Sequence, residues 1–77
     1  MKIKNLLECI NEINLIKGET EIKNIELSTS LRKNLGFDSI DLATLTAKIE
    51  DKYNVDIFEN GIIDTVEEIM EIFEGKK

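Results

Sequence analysis

Few side chains in this 77-residue chain can do covalent chemistry: one cysteine, Cys9, one tyrosine, a scatter of hydroxyls, and no histidine. Without an imidazole, a serine or cysteine nucleophile lacks its usual base. A self-contained hydrolase is therefore disfavoured, and a hydroxyl that reacts must be activated by something else. The best-placed hydroxyl is Ser39, in the octapeptide Leu35-Gly36-Phe37-Asp38-Ser39-Ile40-Asp41-Leu42. Asp38 is a good helix N-cap, and Asp41 three residues on is a weak relative of the capping box that also complements the helix dipole. Ser39 then falls in the first turn, hydroxyl outward. Unpaired backbone N–H groups and the positive dipole end there favour a phosphate ester. Gly36 permits a tight or left-handed backbone before the cap. Asp38 and Asp41 oppose the ester with two negative charges, so the setting permits a phosphodiester without demanding one. By residue type alone, a serine at a helix start is ordinarily a capping feature.

The other reactive groups carry less. Cys9 adjoins the apolar face of a helix and reads as a small, semi-buried hydrophobe. Met70 and Phe73 stand at helical spacing and belong to a core. Glu67, Glu68 and Glu71 form a solvated face without convergent ligand spacing, and Asp51, Asn54 and Asp56 lack the glycine and terminal glutamate of an EF-hand in register. One cysteine and no histidine exclude an internal disulfide and an ordinary zinc site. No metal site and no catalytic residue are assigned.

The elements that must position Ser39 follow from the apolar spacing. Ile3, Leu6, Leu7, Ile10 and Ile13 share one face of a helix over residues 2–16, stopped by Lys17-Gly18. Residues 17–38 have no long period and read as a loop, tacked down by Ile22, Ile25, Leu27, Leu31 and Leu35, with a short turn near 31–35. Leu42, Leu45, Ile49 and Tyr53, with Thr46 beside them, make the buried stripe of a helix over 39–53, ended by Asn54. A helical turn is expected at 58–62, broken by Gly61. The last helix, 64–74, is capped by Asp64-Thr65, with Thr65-Val-Glu-Glu68 a capping box; it buries Val66, Ile69, Met70 and Phe73 and ends at Gly75. No strand pattern and no proline interrupt this, so the expected fold class is all-α, a small three-to-four-helix bundle in one domain, 1–77. At this length the core is small and the domain marginal and mobile.

The net charge of -6 is uneven. Residues 1–35 hold six basic and five acidic groups (+1), and residues 36–77 hold four and eleven (-7). Such an acidic second half repels nucleic acid and attracts basic protein surfaces. The N-terminal stretch has no continuous apolar run for a membrane span or signal peptide, so no membrane insertion and a cytoplasmic location are the expectations, and a lone reduced cysteine agrees.

The octapeptide resembles the modification motif of acyl carrier proteins, in which Asp-Ser-Leu or Asp-Ser-Ile follows Leu-Gly and one variable residue. The likeness spans nearly the whole chain: a first helix, a long loop, the Gly-x-Asp-Ser helix, a short third helix and an acidic last one. The stretch from Asp51 to Ile57 also looks like the family's exit from its second helix. The resemblance implies that Ser39 carries 4'-phosphopantetheine, donated by coenzyme A through a phosphopantetheinyl transferase. Acyl groups ride on it as thioesters between acyl-transferring and condensing enzymes. It further implies that Asp38 serves transferase recognition and that Ile40, Asp41, Ala43, Thr44 and Ala47 face partners, with Asp41 in an acidic rim read by basic residues. A monomer without catalysis of its own is implied. Independently, Ile40 lies off the buried stripe and is expected to be exposed.

Residues 39–53 carry a net charge of only -1 (Asp41, Glu50 and Asp51 against Lys48 and Lys52), Thr44 stands where an acid is common, and Arg32 and Lys33 precede the motif. Partners that read this helix by charge would meet a weaker field. Two pathways remain open, housekeeping fatty-acid synthesis and a specialised polyketide, nonribosomal-peptide, aryl or modified-lipid assembly, with a slight preference for the second; an aryl or peptidyl carrier is the alternative within the family. A second class of function is an unmodified helical module that binds a basic partner surface, which an intact Asp-Ser-Ile argues against.

Overall fold

Three helices form where the apolar spacing and caps require them: α1 is Ile3–Lys17, α2 Ser39–Tyr53 and α3 Val66–Phe73. The computed structural model describes residues 2–57 and 63–74. Among those residues there is no strand, only an isolated antiparallel bridge between Ser30 and Thr65. The all-α expectation holds. The expected turn at 58–62 and the stop at Gly75 lie outside the described residues.

Each end has a local cause. Gly18 takes φ +76°, and the N–H groups of Gly18 and Glu19 close onto the carbonyls of Leu15 and Asn14 at 3.2 and 2.8 Å, the Schellman pattern that terminates α1. Asn54 ends α2 in the left-handed region at φ 58°, which asparagine tolerates better than most residues. At the start of α3, the Glu68 N–H donates to Thr65 Oγ1 while Glu68 Oε1 accepts from the Thr65 N–H, the reciprocal box its sequence predicts.

One apolar cluster joins all three helices. Leu6, Ile10 and Ile13 of α1 meet Leu42, Leu45 and Ile49 of α2 and Val66, Ile69 and Met70 of α3, with Ile25, Leu31, Phe37, Ile57 and Ile63 packed among them. Tyr53 is only half-buried and meets Phe73 edge-on at 5.4 Å between ring centroids, tying the ends of α2 and α3. Cys9 is fully rather than partly buried, at 1% exposure.

Of the residues expected to tack down the loop 18–38, Ile25 and Leu31 are buried in the core and Ile22 and Leu35 pack against it. Leu27, expected to tack it down, is half-exposed, and polar side chains do much of the holding. Asn11 brackets Ile22, donating from Nδ2 to its carbonyl at 2.9 Å and accepting its N–H at 2.7 Å, and the buried Asn14 donates to the Thr20 carbonyl at 3.4 Å. Farther on, the Leu31 N–H donates to the Asp64 carbonyl at 2.8 Å, while the N–H groups of Val66 and Glu67 donate to the carbonyls of Thr29 and Leu27. Asp64, expected to share the cap of α3, does so through its N–H, which donates to Glu68 Oε1 at 3.0 Å, while its carboxylate turns onto the loop and accepts from Ser30 Oγ at 2.7 Å and the Arg32 N–H at 3.2 Å. Segment 31–35 forms the expected hydrogen-bonded turn.

Asn11→Ala removes both bonds to Ile22 and leaves two loop groups to find water. Urea unfolding is expected to show a loss of about 1–3 kcal/mol with an unchanged denaturant slope.

Candidate functional site

The loop delivers its last residues to the start of α2 in a fixed pose. Phe37 is buried, and its N–H donates to the Leu31 carbonyl at 2.9 Å. Gly36 precedes it at φ +70°, a left-handed conformation that glycine permits and where a β-carbon would be strained. Asp38 then caps α2. Its Oδ1 accepts the Asp41 N–H at 2.9 Å, and Asp41 Oδ2 accepts the Asp38 N–H at 3.1 Å. The weak relative of a capping box expected from the sequence is a complete, reciprocal one.

Ser39 is the first residue of this 15-residue helix and is exposed. Among the described residues its hydroxyl has no hydrogen-bond partner, and the N–H groups of Ser39 and Ile40 are the orphan donors of the first turn. The hydroxyl thus stands free at the positive end of the helix dipole, where a phosphodiester is electrostatically tolerated.

Ile40 is 75% exposed, as its position off the apolar stripe predicts. Ala43 and Ala47 are exposed and Thr44 half-buried, so residues 40, 43, 44 and 47 form one continuous face at helical spacing. The Thr44 hydroxyl is turned back onto the Ile40 carbonyl at 2.9 Å, which leaves this face mainly aliphatic.

Asp41 does not share that face. It is only 7% exposed, and its carboxylate is engaged by the Asp38 N–H and by the ammonium of Lys17 at 2.8 Å. The expected place in an exposed acidic rim is thereby corrected: the carboxylate turns inward because a cap and a cation satisfy it there. Burial pushes its pKa up, but the Lys17 and Asp38 hydrogen bonds outweigh this and hold it below the ordinary aspartate value. In the sequence Lys17 reads only as part of the stop after α1. The last-turn cation is visible there, but its partner 24 residues away is not.

The charge read along α2 also changes in three dimensions. Lys48 and Lys52 turn toward α1 and share Glu12, at 3.2 and 2.7 Å. Hydrogen bonds from Lys52 and then Lys48 hold the Glu12 carboxyl below its ordinary pKa. The lysines that dilute α2's acidity in sequence are thus tied to the neighbouring helix, while Glu50 and Asp51 remain exposed. Among the described residues no cluster of metal-ligating side chains forms, and no helix is long and apolar enough to cross a membrane.

The depressed pKa of Asp41 links the cap to pH. Its folded value lies below an unfolded value near 3.9, so its contribution to stability is fully present above about pH 5 and is lost as pH falls through the folded value. Asp41→Asn is expected to flatten the acid limb of the stability–pH curve below about pH 4, read by chemical denaturation at successive pH values.

The model of the family described as "Phosphopantetheine attachment site" matches residues 13–72, which include the start of α2. The chain is also similar to an acyl carrier protein of Trieres chinensis, with 31% identity over 58 residues, covering 73% of this chain and 72% of that protein. No solved structure gives a significant match. With a family model matching residues 13–72 and a relative 31% identical over 73% of this chain, the chain belongs to the acyl carrier protein family, whose cofactor is covalently attached 4'-phosphopantetheine.

Proposed function

We propose that Ser39 is the attachment point of the phosphopantetheine arm and that the chain carries acyl groups between enzymes. The observation that supports this most is the pose of the hydroxyl: exposed, without a partner among the described residues, and first in a helix whose cap is locked on both sides. The residues there fit the group. The first-turn N–H groups of Ser39 and Ile40 are left without partners beside the hydroxyl, and Lys17 offsets one of the two neighbouring carboxylates. When bound, the arm supplies a terminal thiol that holds acyl groups as thioesters.

In the loading step Ser39 Oγ bonds to the phosphorus of coenzyme A that bears the pantetheine. The pyrophosphate P–O bond breaks, adenosine 3',5'-bisphosphate leaves with the electron pair, and the hydroxyl proton passes to a base on the transferase, because this chain has no histidine to take it. Asp38, exposed beside the serine, serves transferase recognition. Ile40, Ala43, Thr44 and Ala47 form the face offered to the transferase and to acyl-transferring and condensing enzymes. That face is aliphatic at its Ser39 end and acidic only farther along, at Glu50 and Asp51. Apart from Asp38 at the cap, this favours partners that dock on α2 chiefly by apolar contact, as in a specialised polyketide, nonribosomal-peptide or modified-lipid assembly, over partners that read charge along the first half of the helix.

Cys9 does not compete with the arm. Burial pushes its thiol pKa up, so little thiolate forms near neutrality.

Two measurements test the reading. Intact-protein mass after incubation with coenzyme A and a broad-specificity phosphopantetheinyl transferase is expected to rise by one phosphopantetheine, and not to rise in Ser39→Ala. A mass gain retained in Ser39→Ala would place the arm elsewhere. In the loaded protein, an aromatic disulfide reagent is expected to titrate one thiol under native conditions and a second, Cys9, only after unfolding.

A further inference from the structure

Ser39 is presented by a short run of backbone whose two ends meet the same side chain from another helix. Lys17, the last residue of α1, places its ammonium 2.8 Å from the Asp41 carboxylate and 5.4 Å from the centroid of the Phe37 ring. Phe37 is buried two residues before Ser39 and Asp41 is buried two residues after it, while Asp38, Ser39 and Ile40 between them are exposed. Asp41 Oδ2, which accepts from Lys17, also accepts the Asp38 N–H at 3.1 Å, so the lysine orients one half of the cap as well as pairing with it.

The pair is better sheltered than an ordinary surface salt bridge, with side-chain exposures of 30% for Lys17 and 10% for Asp41. Position also suits the cation: it lies in the last turn of α1, where the dipole is negative, and the charges of Asp41, Glu19 and Asp38 all favour its protonated form. Lys17 does not touch the Ser39 hydroxyl. Its influence passes through Phe37 and Asp41.

We propose that Lys17 is a positioning residue for arm transfer: it preorganises the segment Phe37–Asp41 so that Ser39 is held in the pose a transferase takes up. The proposal rests on Ser39 being the attachment point. It has a specific kinetic consequence. If the segment is ordered in only a fraction of free molecules, apparent affinity for the transferase falls by that fraction, whereas the complex, once formed, has the same reacting groups. Loss of Lys17 therefore acts on KM for the carrier and leaves kcat nearly unchanged.

The test compares wild type, Lys17→Met and Lys17→Arg as substrates of one phosphopantetheinyl transferase with coenzyme A, following intact mass. Lys17→Met keeps the aliphatic stem and removes the charge; Lys17→Arg keeps a cation. Lys17→Met is expected to raise KM roughly three- to tenfold, as for an ordered population cut to between a third and a tenth, and Lys17→Arg to restore it. Amide hydrogen exchange of the unmodified proteins supplies a readout independent of loading. In Lys17→Met the Asp41 and Leu42 amides are expected to exchange faster, while those of Ile10, Ile13 and Ile49 stay protected as in wild type.

An unchanged KM in Lys17→Met overturns the proposal, as does a raised KM that arginine does not restore. Faster exchange spread to Ile10 and Ile49 overturns it too, because that is general destabilisation. If wild type loads at Ser39 while any of these occurs, only this inference fails. If wild type takes up no arm, the attachment reading falls and the proposal with it.

Discussion

A connection as long as residues 18–38 can lie against a small helical domain only if its peptide groups find partners, because a backbone N–H or C=O removed from water without one costs as much as a lost hydrogen bond. Partners come from both sides. Asn11 and Asn14 reach out from α1 to Ile22 and Thr20, and Asp64 and the first turn of α3 receive Ser30, Leu31 and Arg32 and bond back to Thr29 and Leu27. With its polar groups satisfied, the loop can bury Ile25, Leu31 and Phe37 in the common core. The position of Ser39 depends on this arrangement, since the loop ends where α2 begins.

At that junction the structure answers an electrostatic difficulty. Two aspartates flank Ser39, and a phosphodiester there would add a third negative charge. Asp38 and Asp41 spend part of their charge on each other's backbone N–H groups, and Lys17 neutralises Asp41 from the opposite helix. Carboxylates that look repulsive in one dimension thus become the lock that shapes the first turn, and the hydroxyl between them stays free.

The same redistribution governs the outer face of α2. Lys48 and Lys52 are drawn to Glu12, so their charge strengthens the seam between α1 and α2 rather than facing outward. What α2 presents beside Ser39 is aliphatic, at Ile40, Ala43 and Ala47, with acids only in its second half. A net charge counted along the helix cannot distinguish these two uses of a lysine.

By itself the sequence determined the helices, the range of α2, the reciprocal cap of α3, the exposure of Ile40 and the candidate serine, because all of these follow from interactions within about four residues along the chain. The octapeptide around Ser39 and the order of elements also sufficed to point to the family. Only the tertiary structure decided that Asp41 turns inward, that Lys17 grips both sides of Ser39, that the Asp64 carboxylate serves the loop, and that polar side chains help to hold the loop where Leu27 does not. Each of these joins residues from different elements, and the choice among several nearby cations and acids was made by how α1, α2 and α3 pack, which no local spacing encodes.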